Sequence, residues 1–495
     1  MEYLAPAFSL LATPATLIAV LIGTVVGIVV GALPGLGTVV ALTVCLPFTF
    51  SMGQAPSIAL LLAVYCSSVY GGSISAILIN TPGTPQSAAT CLDGYPMAVR
   101  GEADLALGWA TAASVFGGLF SLVVLVLAAP QLAAVALQFG PIETFALLVF
   151  SLTCIAWVSR ESVVKGLLAG TIGLFLAAVG PDPMSGDIRF DFGIFQLSAG
   201  LQLIPVLVGL FALAEVFVRA AEPAPEGEAV VARVGFRLPP LRAWRPYLKT
   251  LLRSSGIGSF IGVLPGTGAA VAAFISYAEA KRSSPRGAAF GTGEPEGVIA
   301  SEAANNAVTG GALVPTLALG IPGDAATAVM MGTLLLQGIT PGVRLFVDNP
   351  DLVYAAFLSL FVINIVMFFA GMIGAQAFTR ILRIPTPLLM AAVVVLALVG
   401  SYAVRGNPFD LLVTCAAGVI GYFMRLNGFP TAPVVIGMVL GYPLERSLRQ
   451  GLVLTDLNFF AFFESPLALL LFALTALLLL WPWLSARWRR RGAAP

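Results

Sequence analysis

Long apolar runs separated by short polar breaks dominate the chain from end to end, and many reach the roughly 20 residues that a helix needs to cross a bilayer. The pattern predicts helical crossings at 57–99, 104–129, 140–159, 163–180 and 198–219, then at 296–338, 351–376, 386–404, 407–424, 430–444 and 463–486. Two further runs, 16–50 and 247–280, are split in the middle by Pro-Gly. The arms of the second are about 15 residues each, too short to span. Basic residues flank it on both sides, so it is predicted to enter and leave by one face as a re-entrant hairpin.

Loop charges orient these elements. Residues 220–246 are polar and carry Arg233, Arg237, Arg242 and Arg245, and the next loop carries Lys281, Arg282 and Arg286; both are expected in the cytoplasm. The flanks of the first hairpin hold no Lys or Arg, which places them, with the N-terminus, outside. Hairpins entering from opposite faces make an inverted-topology repeat. The expected fold is an all-α polytopic membrane protein of two inverted repeats, 1–219 and 247–462, each with a re-entrant hairpin and a broken helix, about 11 crossings in all besides the hairpins. A cytoplasmic linker, 220–246, joins them, and a C-terminal helix with a basic tail, 463–495, ends in the cytoplasm. Arg405, Arg446 and Arg449 fall outside and oppose the rule. Whether 57–99 and 296–338 are single broken crossings or further hairpins stays open.

Composition agrees with this reading. The chain is 58% hydrophobic and 10% charged, where a soluble domain carries about 25% charged residues. Its net charge of +1 suggests no nucleic-acid partner. There is no histidine, which removes the commonest metal ligand and proton shuttle. The five cysteines form no C-x-x-C pair and read as small buried hydrophobes. No basic n-region precedes the first apolar run, so a cleaved signal peptide is not expected.

The most informative feature is a duplication. Gly27, Gly31, Leu33, Pro34, Gly35 and Gly37 match Gly258, Gly262, Leu264, Pro265, Gly266 and Gly268 in one pattern, G-x-x-x-G-x-L-P-G-x-G. A second Pro-Gly break follows each hairpin, Asn80-Thr81-Pro82-Gly83-Thr84-Pro85 in one half and Gly320-Ile321-Pro322-Gly323-Asp324 in the other. Near the end of each half, Pro205–Gly209 resembles Pro433–Gly437. Paired broken segments point to the binding site of a secondary transporter.

The chemistry follows from the breaks. Proline lacks an N–H and disfavours helical geometry before it, so carbonyls of the preceding turn lose their partners and can meet a cation. The helix that restarts offers free N–H groups and a positive dipole end to a carboxylate. Candidate substrate contacts are Gly35, Gly37, Asn80, Thr81, Gly83, Thr84, Gly266, Thr267, Gly268 and Gly323. Candidate coupling-cation contacts are Ser73, Ser75, Asn305, Asn306, Thr309 and Asp324. One Pro-Gly kink is more often packing than a site; four kinks in two matched pairs, flanked by polar side chains, favour the site. Asp324 reads equally as a helix cap, and Glu302 as a coupling site or an interface residue. Glu143, Glu215 and Glu464 lie near segment ends and are expected to be solvated there.

As a set, these motifs resemble the TctA family, the large membrane subunit of bacterial tripartite tricarboxylate transporters. The resemblance covers essentially the whole chain. It implies a permease of the bacterial cytoplasmic membrane that works with a small membrane subunit of about four helices and a periplasmic solute-binding protein. It also implies uptake of citrate or other small carboxylates with Na⁺ or H⁺ and no cofactor. The rivals are a channel, which would also use broken helices, and a membrane enzyme, for which no metal-ligand spacing, nucleophile motif or paired carboxylates are visible.

Overall fold

A computed structural model describes residues 3–157, 162–221, 235–266, 269–381 and 384–491. The first half comprises α1 (Leu4–Leu11), α2 (Pro14–Ala32), α3 (Gly37–Thr49), α4 (Gln54–Ile79), α5 (Cys91–Val99), α6 (Ala103–Ala136), α7 (Pro141–Trp157), α8 (Val163–Ala177), and α9 (Leu203–Val208) joined by a π turn to α10 (Ala214–Ala221). The second comprises α11 (Leu248–Val263), α12 (Ala269–Ser283), α13 (Pro295–Leu319), α14 (Ala325–Leu336), α15 (Val343–Asp348), α16 (Pro350–Ile381), α17 (Thr386–Ala403), α18 (Pro408–Leu426), α19 (Ala432–Leu454) and α20 (Pro466–Arg491). The β-structure among the described residues is a two-stranded pairing of Gly180–Pro181 with Ile188–Arg189. Among the described residues six helices, counting Leu203–Ala221 as one, are long and apolar enough to cross a membrane.

Helices α4 and α13 form the centre. Both are buried almost all round, including serines, asparagines and a glutamate. Glycines bring their neighbours against them. On α2, Gly27 meets the Val64 carbonyl and Gly31 that of Ser68; on α11, Gly258 meets the Ala304 carbonyl and Gly262 that of Val308. Gly71 meets the Ile28 carbonyl, as Gly311 meets that of Ser259. None of these positions has room for a Cβ. Each of these contacts in one half therefore recurs in the other with the motif spacing, so the duplicated glycines are a duplicated packing interface of the small-residue kind. The third echo behaves alike: Gly209 packs on the Thr414 carbonyl and Gly437 on that of Gly170.

Within each half the pairs α2/α4 and α11/α13 run parallel, because their contacts advance together. Between halves, α4 and α13 run in opposite senses: Cys66 meets Thr309, while Ser73, further along α4, faces Glu302, further back on α13.

Two expectations change. Helix α2 has 19 residues and qualifies by length as a span, whereas α11 has 16, about 24 Å; the short arm expected of both copies is found in α11 and not in α2. The backbone gives the course of the chain at the breaks. Asn80 (φ 54°) and Gly320 (φ 69°), 240 positions apart, both turn left-handed and end their helices. The Gly83 N–H then donates to the Gly72 carbonyl (3.2 Å), two turns back inside α4. Gly94 packs on Ile77, so the chain has returned to the end of that helix. In the second half Gly323 packs on Ala312 and the Gly342 N–H donates to the Leu317 carbonyl (3.1 Å). Each break is thus a loop that dips back beside a complete helix.

Two of the three arginines that opposed the loop-charge rule, Arg405 and Arg449, have acidic partners. Arg405 pairs with Asp410 (2.7 Å), and Arg449 with Asp182 (2.9 Å) and Glu445 (2.6 Å). Arg189 joins the same group. A basic side chain neutralised within the protein carries little orientation signal.

Candidate functional site

The breaks are built from matching parts. After Gly83, Thr84 shares a hydroxyl hydrogen bond with Ser87 (2.8 Å) at the start of a short 3₁₀ turn, Pro85–Ala89. In the second half, 240 positions on, Asp324 and Thr327 form a capping box at the start of α14. The Asp324 N–H donates to Thr327 Oγ1 (2.9 Å) and the Thr327 N–H to Asp324 Oδ1 (2.8 Å). Tyr65 on α4 donates to Asp324 Oδ2 (2.7 Å). The Gly323 N–H donates to Thr316 Oγ1 (3.2 Å). Asp324 is therefore a helix cap with both oxygens engaged, the first of its two open readings.

The hairpin tips meet the breaks. Gly35, Gly37 and Gly266 all have positive φ (85°, 69° and 81°), which glycine adopts without strain. Gly37 lies beside Pro85, and the Gly266 N–H donates to the Gly323 carbonyl (2.6 Å). Thr267 and Gly268 lie outside the described residues. Over Gly35 stands the Arg219 guanidinium, paired with Glu215 (3.0 Å), which Arg425 also engages. Glu215 is accordingly not solvated at an interface, as its place in the sequence suggested: it is buried, and arginines from α10 and α18 hold it beside the first hairpin tip. Glu143 caps the Gly140 N–H (2.9 Å) and accepts from Ser465 (2.7 Å).

A cavity of about 260 Å³ opens where these parts converge. Val39 of α3, Gln86 of the first break, Gly266 of the second tip and Asp324–Ala326 of the second break line it. Ala269 at the start of α12, Ile155 of α7, and Ala432, Pro433 and Ile436 in the first turns of α19 complete it. Helices α12, α14 and α19 thus begin at its wall, and helix starts favour a negative group. The Gln86 amide oxygen is buried without a hydrogen-bond partner.

Of the sequence candidates, Gly266 and Asp324 line the cavity, with Gly323 adjoining Asp324 and Thr84 two residues before Gln86. Asn80 and Thr81 are exposed at the end of α4, Thr81 bonding the Ile79 carbonyl (3.3 Å); neither lines the cavity, nor do Gly35 and Gly37. Gln86, Ile155 and the start of α19 were missed. Gln86 was within reach as a polar side chain in the first break, and Pro433 as part of the third echo; Ile155 had no local signal.

The coupling-cation candidates sit deeper. Ser75 bonds the Gly72 carbonyl (3.3 Å), Thr309 that of Asn306 (2.7 Å) and Asn306 that of Glu302 (3.4 Å), each within its own helix. Ser73 and both amide atoms of Asn305 are buried without a hydrogen bond. Glu302 is fully buried, not interfacial; Thr90 and Ser114 (2.9 Å) donate to it.

Comparison with known proteins adds the following. The model of the tripartite tricarboxylate transporter TctA family matches residues 17–436. An uncharacterized 52.8 kDa protein of Agrobacterium vitis, described as lying in the TAR-I ttuC′ 3′ region, is 36% identical over 470 residues, covering 95% of this chain and 93% of that protein. A second uncharacterized protein of that organism, from the TAR-II ttuC′ 3′ region, is 36% identical over 211 residues, 43% of this chain and 87% of its own. No solved structure matches.

Proposed function

The chain belongs to the TctA family of tripartite tricarboxylate transporters, and from that premise we propose that it is the large permease subunit of a binding-protein-dependent uptake system for small carboxylates. Family membership argues for a transporter rather than an enzyme, with partners of the tripartite kind. In this reading they are a small membrane subunit of about four helices and a periplasmic solute-binding protein, in the bacterial cytoplasmic membrane. Transport is cation-coupled and works by alternating access. Tricarboxylates and dicarboxylates are the proposed substrates.

The observation that carries the reading is the cavity: one space of about 260 Å³ is bounded by the first break, the second break, the second hairpin tip and the helix that follows the first tip. The starts of α12 and α19, with the Gln86 amide, suit a carboxylate that must be released again, while the start of α14 is already capped by Asp324. The opposite running senses of the two α-helical pairs support an inverted repeat, the architecture in which midplane sites lie between broken helices.

The test is uptake of labelled tri- and dicarboxylates into proteoliposomes containing the chain with both partners, under a Na⁺ gradient, a proton gradient or neither. Accumulation that requires the binding protein and one gradient is expected. Equilibration indifferent to both gradients would favour a channel.

A further inference from the structure

We infer that Glu302 is the residue that carries the coupling proton, with Thr90 and Ser301 as the hydroxyls that accommodate both of its charge states. This deepens the proposed transport reading and rests on it. Glu302 sits in the middle of α13 at 0% exposure. An ionised carboxylate so enclosed is costly unless a cation neutralises it, and such a group takes up a proton instead.

The groups that reach its carboxyl are neutral. From α4 come Ser73, which turns its hydroxyl toward the carboxyl without closing an ordinary hydrogen bond, and the Tyr70 phenol, bonded to Thr111 (2.8 Å). From the turn before α5 comes Thr90, with the Cys91 thiol next to it; from α6 comes Ser114. Among the described residues no lysine or arginine is hydrogen-bonded or ion-paired to Glu302. Asp93, three residues beyond Thr90, is satisfied separately by the N–H groups of Gly291, Gly293 and Glu294 and by Tyr277.

Counting hydrogens shows how the cluster serves two states. Ser301 spends its hydrogen on its own helix, toward the Gly297 (2.9 Å) and Val298 (3.1 Å) carbonyls, so its oxygen can only accept. Thr90 lies between that oxygen (3.3 Å) and Glu302 Oε1, with one hydrogen to give. When Glu302 is ionised, Thr90 donates to it. When Glu302 is protonated, the carboxyl donates to Thr90, which rotates its hydrogen to Ser301. Ser114 donates to Oε2 in both states. The proton goes on and off one oxygen, and a single hydroxyl rotation absorbs the change. Thr90 is four residues from Gln86, on the segment whose other end lines the cavity, which links the protonation state to the first break.

The test uses Glu302→Gln in the reconstituted three-subunit system, with two readouts. A gradient of one pH unit can drive about tenfold accumulation at one proton per substrate. The variant is expected to bring that ratio to about one while exchange of labelled for unlabelled carboxylate stays within about twofold of wild type. The second readout needs no transport: the infrared carboxyl band of a buried protonated acid is expected in the wild-type chain and absent in Glu302→Gln. Thr90→Ser should preserve accumulation and Thr90→Val impair it. Undiminished pH-driven accumulation in Glu302→Gln would overturn the proposal. So would loss of exchange together with accumulation, or accumulation driven by Na⁺ alone and lost in the variant. If wild type exchanges no carboxylate, the transport reading fails while the infrared band still decides whether Glu302 holds a proton.

Discussion

Tyr65 on α4 donates its phenol hydrogen to Asp324 Oδ2 at 2.7 Å, and so ties the central helix of one half to the break of the other. Both residues are buried. Tyr65→Phe leaves a buried carboxylate oxygen without its donor, a loss of about 1–3 kcal/mol. A lowered unfolding midpoint in detergent is expected for Tyr65→Phe, with a smaller further loss when it is combined with Asp324→Asn. Full additivity of the two would show that the bond contributes nothing.

Asp324 has a counterpart. Thr84 stands 240 positions earlier at the equivalent cap, with Ser87 where the second half has Thr327. Thr84→Asp should therefore fold, because Ser87 can complete a similar cap. Its charge would lie two residues from Gln86 at the cavity wall and repel an incoming carboxylate. Uptake is expected to fall at least tenfold, a change of about 1.4 kcal/mol or more, with Thr84→Ser near wild type. Unchanged uptake in Thr84→Asp would remove the first break from the site.

The duplicated glycines act through packing. Gly258 has the Ala304 backbone against it, while Gly256, on the same helix, has nothing within 4 Å. Gly258→Ala should destabilise by about 1–3 kcal/mol through overpacking. Gly256→Ala should be neutral or stabilising by about 0.5–1 kcal/mol through helix propensity. Thermal unfolding of the two purified variants checks the contrast; equal midpoints would contradict it.

The loop group at Asp182 predicts a pH response. The N–H groups of Ser185 and Met184, and then Arg449 and Arg189, hold its carboxyl down at about 2. The unfolded value is near 4. A depressed carboxyl contributes its stability above the unfolded value and loses it as pH falls through the folded one. A spin label at Met184→Cys, in a cysteine-free background, should stay immobilised from pH 8 to 5 and loosen between about pH 4 and 2. Loosening between pH 8 and 5 would show that other groups hold the loop.

By itself the sequence determined the helical membrane class, the duplication and the four breaks. These depend on local physics: apolar length sets spanning capacity, and proline and glycine end helices wherever they stand. It also marked Gly27, Gly31, Gly258 and Gly262 as special without saying why. Tertiary structure decided that they face carbonyls of a parallel helix, that each break turns back beside α4 or α13, and that Asn80 ends a helix in the conformation Gly320 adopts. It also decided which polar residues share a space. Gln86, Gly266, Asp324 and Pro433 are far apart in the chain, and only packing brings them to one cavity. Likewise Glu302 looked the same on paper as a residue at a membrane interface; burial among Thr90, Ser114 and Ser301 gives it a different chemistry, because a carboxyl's charge is set by what surrounds it and not by its place in the chain.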